Sequence, residues 1–528
     1  MSAYIGTVFT KYGAVRGVEL TGRYAGITEF RGIPFAAPPV GPLRWRPPQA
    51  PSGWNGVRDC VSYAPICVQP ANGDMGAEPW AGDFYYMGLP AMSEDCLYLN
   101  LCTKAAGAGE KRPVYLWFHG GGSDHGYSYE VEFNPAELAK KGIIVVSAAQ
   151  RLGAFGYLAL PQLTAEQGES GNYILMDEIM ALQWVVENIE AFGGDPDNIT
   201  VGGQSAGTGK AAALAFSPLG RMYVKRMIHE SGLAWNRKYE EREAAELRCR
   251  DYLAALGIDP ETSPEELRRI NAHVFLDQKA RHLLPKSLIY DGALIPDLSL
   301  AESTEKYGSR LDYLAGTNMG ERRMRPDRQM FTNASEYYSC CRALLGPLYD
   351  QYDFEHLVPV TDETVHEVSC RLASYGLCEG PRMGGLALNR YFGMHRAQTA
   401  PGKNTFNYLF TRIIPGRPED VDTVRDPKAL LAWHSGELWY AFASMRRGIP
   451  PVRPWEDADV FLADQMSSYW ANFIRTGDPN GEGLPLWPKS DESYGYIELG
   501  ESIVGIDHRR KLDDMILEFL TERNVIPV

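Results

Sequence analysis

Through the middle of the chain, short apolar runs alternate with longer stretches whose apolar residues recur every three to four positions. The runs PVYLWF (from residue 113), GIIVVSA and NITVGG are continuously apolar or β-branched. Strands buried on both faces of a parallel sheet read this way. Between them, YILMDEIMALQWVVENIEAFGG carries its apolar residues at helical spacing and stops at Gly193 and Gly194, glycine being the residue that most readily takes the left-handed turn ending a helix. GTGKAAALAF predicts a second helix and VKRMIHESG the next strand. RLDYLAGTN and NTFNYLFTR return to the strand pattern, and ADVFLADQMSSYWANFIRTG predicts a helix ended by Gly477, with Pro479 just beyond. Strands alternating with helices mean a parallel sheet with crossover helices, so the fold class is α/β. The first hundred residues differ. RGIPFAAPPVGPLRWRPPQAPSGW cannot be helical, because proline removes donors and restricts its neighbour, and it predicts short strands and turns laid over the body. Residues 234–290, with KYEEREAAELRCRDYLAALG, are charged and helix-prone and predict an insertion outside the sheet. No repeat or long linker divides the chain, so residues 1–528 read as one decorated α/β unit.

Composition adds exclusions. With 528 residues, 45% of them hydrophobic and 23% charged, the chain can build a large core. Its formal net charge of −15 repels phosphate backbones, so no nucleic-acid partner is expected. No run approaches the roughly 18 apolar residues of a membrane span, and no membrane partner is expected. No basic segment leads into an apolar one at the N-terminus, so a cytoplasmic location is expected, or a secreted one if the chain is a processed form. The nine cysteines include no CxxC pair, and the histidines show no HExxH spacing. His119 and His125 share a glycine-rich loop, which is weak support for a metal; none is expected, nor any cofactor.

One short stretch carries chemistry. Gly203, Gln204, Ser205, Ala206 and Gly207 form GxSxG, weak alone but here set between a strand and a helix. A nucleophile elbow needs that context, so that a hydroxyl projects from a strained turn cleared by glycines. FHGGG follows another strand, and its glycines suit backbone N–H groups aimed at an oxyanion. A serine nucleophile then needs a histidine oriented by a carboxylate, in the chain order Ser, acid, His. Order alone does not choose among the candidates.

These and other segments resemble the type-B carboxylesterases, the group that includes bacterial para-nitrobenzyl-type esterases and the cholinesterases. EFRGIPFAAPPVGPLRW, SEDCLYLNL, FHGGG, RLGAFGYL, WVVENIEAFGGDPDNITVGGQSAG and YWANFIRTGDPNG match family segments in order. The resemblance implies an α/β-hydrolase fold, a large mixed and mostly parallel sheet flanked by helices. Residues 234–290 and 322–405 match poorly and are expected to be helical cap insertions. It implies Ser205 as nucleophile, Glu321 in AGTNMGER as acid and His434 in AWHSGELWYAF as base, with oxyanion donors from Gly121, Gly122 and Ala206. Asp291 is a weaker rival acid, Asp195 and Asp197 are expected to shape the loop before the elbow strand, and Glu437 is expected to be a buried structural carboxylate. Gln204 replaces the family's usual glutamate. Ser123 stands where an aromatic is common, and is expected to open the pocket mouth. Lys210 is expected to face solvent. Cys67 and Cys96 align with a family disulfide. Trp80 and Tyr85, in the loop between those cysteines, are expected to border the substrate pocket. The implied activity is hydrolysis of small to medium aryl or alkyl esters, with hydroxycinnamoyl (feruloyl) esters as an extension and a small-molecule ester as the substrate partner. The rival reading is a non-catalytic binding or adhesion module.

Overall fold

The structure is a computed structural model that describes residues 4–70, 81–85, 88–232, 239–277, 279–285, 287–296, 298–321, 329–379, 384–423, 425–446 and 453–526. The continuous apolar runs are its central strands. β1 (Thr7–Thr10), β2 (Gly13–Arg16) and β5 (Val57–Asp59) form a small sheet. The large sheet contains β3 (Val18–Glu19), β4 (Thr28–Pro34), β6 (Tyr98–Thr103), β7 (Arg112–Phe118), β8 (Ile144–Ala148), β9 (Gly194–Gln204), β10 (Val224–Glu230), β11 (Asp312–Asn318), β12 (Thr405–Phe410), β13 (Tyr496–Leu499) and β14 (Ile503–Ile506). Its eleven strands run in the order β14-β13-β12-β11-β10-β9-β7-β8-β6-β4-β3. From β13 across to β8 every pairing is parallel; β14 and the strands β6, β4 and β3 are antiparallel additions at the two edges.

Alternate residues of β7 serve opposite faces, as a strand's two-residue period requires. Val114, Leu116 and Phe118 share a core with Ala181, Leu182 and Val185 of the helix Tyr173–Asn188 and with Ala211 to Phe216 of the helix Ala206–Phe216. Tyr115 and Trp117 face the other way, onto Met466, Trp470 and Phe473 of the helix Asp457–Thr476. That helix ends at Gly477 with φ 84°, as expected from its glycine stop. The expected helix at Arg242–Ala255 forms, and Tyr252 and Leu253 join Trp45, Phe155 and Phe275 in a core separate from both sheet faces.

A buried ion pair locks the loop after β8. Arg151 lies on Asp177 of the helix Tyr173–Asn188, with Nη2 to Oδ1 at 2.7 Å and Nε to Oδ2 at 2.9 Å. Two parallel bonds in one plane make this a stiff joint. Among the described residues no helix is long and apolar enough to cross a membrane.

Candidate active site

Ser205 sits between β9 and the helix Ala206–Phe216 at φ 53°, ψ −122°. A side chain rarely takes this conformation, and it persists only where the surroundings impose it. They do so here by packing and hydrogen bonds. Ser205 N donates to the carbonyl of Glu230 at 2.8 Å, and Thr208 Oγ1 donates to the carbonyl of Ser205 at 2.8 Å. The flanking glycines are required by close approach. A Cβ at Gly203 would lie 2.6 Å from the carbonyl carbon of Gly207 and 2.8 Å from the carbonyl oxygen of Phe118.

Phe118 ends β7, and the glycine loop follows. Gly121 and Gly122 have φ 76° and 62°, and Ser123 has φ 66°. These left-handed residues turn the loop back beside the elbow, where a Cβ at Gly120 would be 3.1 Å from that of Ser205. Gly120 thus lies against the serine, Gly121 and Gly122 follow it in the same turn beside His125, and Ala206 opens the helix after Ser205. Ser123 is buried in the same turn.

Glu321 and His434 come from two loops, one after β11 and one after β12. Glu321 follows β11. Its Oε1 accepts from Asn318 N at 2.8 Å and lies 3.9 Å from Nδ1 of His434. The two loops are tied together through Gly320 N to Ala432 O at 2.8 Å and Asn318 Nδ2 to Trp433 O at 2.7 Å. On the other side of the imidazole, Nε2 of His434 lies 3.3 Å from Nε2 of Gln204. Ser205, Glu321 and His434, widely separated in the chain, are therefore brought to one place.

Behind them is a set of polar groups that the motifs do not announce. Glu437 is buried, as expected, and accepts from Ser231 Oγ at 2.9 Å and from Asn318 Nδ2. Burial first, and then the charge of Glu321, push its carboxyl up to about 7. Glu230 accepts from Trp470 Nε1 at 2.9 Å; burial and the neighbouring Glu437 hold it well above the carboxylate range. Asn318 thus joins the Glu321 loop to the His434 loop, and no local signal marks an asparagine at a strand end for such a position.

Other expectations fall elsewhere. Asp291 holds a loop, accepting from the N–H groups of Ala293, Leu294 and Ile295 and from Asn172 Nδ2. Asp195 accepts from Asp197 N at 3.0 Å at the start of β9. Tyr85 is buried, donating to Glu130 at 3.2 Å and lying 5.7 Å from the Tyr127 ring. Its neighbour Phe84 lies 5.7 Å from Trp433, next to His434. Trp80 lies outside the described residues. Cys67 and Cys96 are buried as free thiols, so the bridge implied by the resemblance is not made; Sγ of Cys67 instead accepts from Leu152 N at 3.3 Å. Lys210 does not face solvent. The helix Ala206–Phe216 is enclosed by the sheet and by the helix Tyr173–Asn188, which leaves its Nζ buried 3.9 Å from Glu178.

The chain is similar to known proteins along most of its length. The profile of the carboxylesterase family matches residues 6–336 and 388–519. Carboxylesterase 5A of Canis lupus familiaris is 33% identical over 97% of this chain and 88% of its own length. The liver carboxylesterase of Sus scrofa is 31% identical over 93% and 89%. Among solved structures, a thermophilic PNB esterase is similar with TM-score 0.72 at 27% identity, covering 97% of this chain and 99% of its own. A carboxylesterase of Geobacillus stearothermophilus gives TM-score 0.70 at 26% identity, over 97% and 100%. With a serine elbow, a glycine loop beside it and this similarity along nearly the whole chain, the protein belongs to the carboxylesterase family and is a carboxylic-ester hydrolase of the α/β-hydrolase fold.

Proposed function

We propose that the enzyme cleaves small to medium aryl or alkyl esters through a Ser205–His434–Glu321 triad and an acyl-enzyme. The observation that carries this is the strained serine at the β9–helix junction, with His434 and Glu321 in the loops after β12 and β11. Nε2 of His434 takes the proton of Ser205 as Oγ bonds to the ester carbonyl carbon. Glu321 stabilises the imidazolium that forms. The pair closes from 3.9 Å when substrate is bound, as catalytic contacts long in the free enzyme do. The carbonyl oxygen becomes an oxyanion, met by the N–H groups of Gly121, Gly122 and Ala206. The carbon–oxygen ester bond then breaks, and the alcohol leaves with the proton from His434. Water repeats the sequence in reverse to release the acid. No step draws on a metal or cofactor.

The helices Arg242–Ala255, Pro264–Arg269, Ala334–Leu345, Val365–Tyr375 and Gly385–Thr399 lie outside the sheet, and we assign to the 234–290 and 322–405 segments the cap over this site. Hydroxycinnamoyl esters are the extension to try once simple esters are established. The test is hydrolysis of p-nitrophenyl acetate and butyrate by the wild type and by Ser205→Ala. A fall in kcat by about 10⁴-fold or more is expected on losing the nucleophile. Equal activity in the two proteins would remove Ser205 from the mechanism.

A further inference from the structure

Gln204 touches both halves of this machinery. It is the last residue of β9 and precedes the nucleophile, and its side chain is buried. Its carboxamide nitrogen lies 3.3 Å from Nε2 of His434. Its carboxamide oxygen lies against the glycine loop, where a Cβ at Gly120 would be 2.8 Å from Oε1. With Nδ1 of His434 on the Glu321 side, Nε2 carries the lone pair. At 3.3 Å the Gln204 N–H makes only a long contact with that lone pair, weak enough to yield it to the serine proton.

We propose that Gln204 is a positioning residue, holding His434 as the neutral ring with its Nε2 lone pair beside Ser205 and tying that ring to the glycine loop. This rests on the triad reading above. The charges facing His434 come from Glu321, 3.9 Å from its Nδ1, and from Glu437, with Glu230 behind the latter. Glu321 favours the imidazolium, and so does Glu437 once ionised above about 7, whereas Glu230, held well above the carboxylate range, is neutral. Gln204 is the neutral neighbour on the Nε2 side, and an N–H donated to Nε2 favours the unprotonated base. When Nε2 gains the serine proton, rotating the carboxamide presents its oxygen to the new N–H. An amide can serve either state in this way, because it both donates and accepts. A carboxylate at this position could only accept, and would hold the imidazolium. An opposite charge within about 4–6 Å raises the pKa of such a group by about 1–3 units.

The test is the pH profile of kcat/KM on p-nitrophenyl butyrate for the wild type, Gln204→Glu and Gln204→Met, with Ser205→Ala alongside. In Gln204→Glu the acid limb should move up by about one pH unit or more, with activity recovered at higher pH. In Gln204→Met, which also loses the N–H favouring the neutral ring, the limb should rise by less than in Gln204→Glu, and kcat should fall about tenfold with KM within about twofold, as the ring loses its orientation. A folded Gln204→Glu whose limb coincides with that of the wild type would overturn the proposal. If Gln204→Glu fails to fold by circular dichroism, Gln204→Met decides, and an unchanged kcat there overturns it. The Ser205→Ala control separates the two readings. Activity that survives it removes the triad, whereas serine-dependent activity with an unmoved limb removes only the role of Gln204.

Discussion

Replacing Gly203 by alanine adds one methyl group where the elbow helix meets the end of β7. That methyl would lie 2.6 Å from the carbonyl carbon of Gly207, 2.7 Å from its oxygen and 2.8 Å from the oxygen of Phe118. The first distance is roughly 1 Å short of the optimal carbon–carbon separation. All three atoms are backbone, so no rotamer change can relieve the contact. Two effects oppose each other. Loss of glycine's freedom in the unfolded chain stabilises by about 0.4–1 kcal/mol. Overpacking costs typically about 1–3 kcal/mol, and a contact with three backbone atoms belongs at the upper end. The clash therefore wins, and Gly203→Ala should lose about 1–2 kcal/mol and melt a few degrees lower. Activity should suffer more than stability. The displaced atoms lead directly to Ser205 on one side and to the glycine loop on the other, and a misplacement of about 1 Å can cost about 10²-fold in rate. Thermal melts and kcat on p-nitrophenyl butyrate, measured on one preparation, check this. An alanine variant with wild-type Tm and kcat would refute the claim that these glycines are fixed by close approach.

Two further outcomes follow from the buried charges. Glu437 is held up to about 7 in the fold against its usual 4.5. The stability its protonation contributes is complete below pH of about 4.5 and is lost as pH rises through about 7. The gap of about 2.5 pH units corresponds to about 3 kcal/mol. Denaturant unfolding of Glu437→Gln should lack that decline, so the variant should gain on the wild type between pH 5 and 8; parallel curves would refute it. Lys210 and Glu178 form a buried pair at 3.9 Å, and neither has another hydrogen-bond partner among the described residues. Lys210→Met strands the carboxylate and should destabilise, whereas Lys210→Met/Glu178→Leu should be more stable than that single variant by about 1–4 kcal/mol. A double variant less stable than both single variants would show that the pair is a net stabiliser.

What the linear sequence determined were the features that rest on local physics. The continuous apolar runs became β7, β8 and β9, because a strand covered on both faces tolerates little polar alternation. The helix Asp457–Thr476 ended at Gly477, and the α-helix Tyr173–Asn188 passed into a 3₁₀ turn, Ile189–Phe192, that Gly193 closes, a left-handed residue ending each. GxSxG between strand and helix placed Ser205 at its strained turn, since the glycines and the serine act within one short loop. Glu321 and His434 could be named only through the family resemblance, because the bonds that align their loops, Gly320 to Ala432 and Asn318 to Trp433, join distant segments. Only the tertiary structure decided the surroundings of the site. Lys210 lies on an alanine-rich helix whose periodicity is too weak to show that the sheet and the helix Tyr173–Asn188 enclose it. Tyr85, an aromatic in a polar loop, turned to a buried glutamate that the sequence places far from it. Gln204, Asn318 and Glu437 meet around one histidine because parallel strands end at the same edge of the sheet, and that edge brings together residues with no relation along the chain.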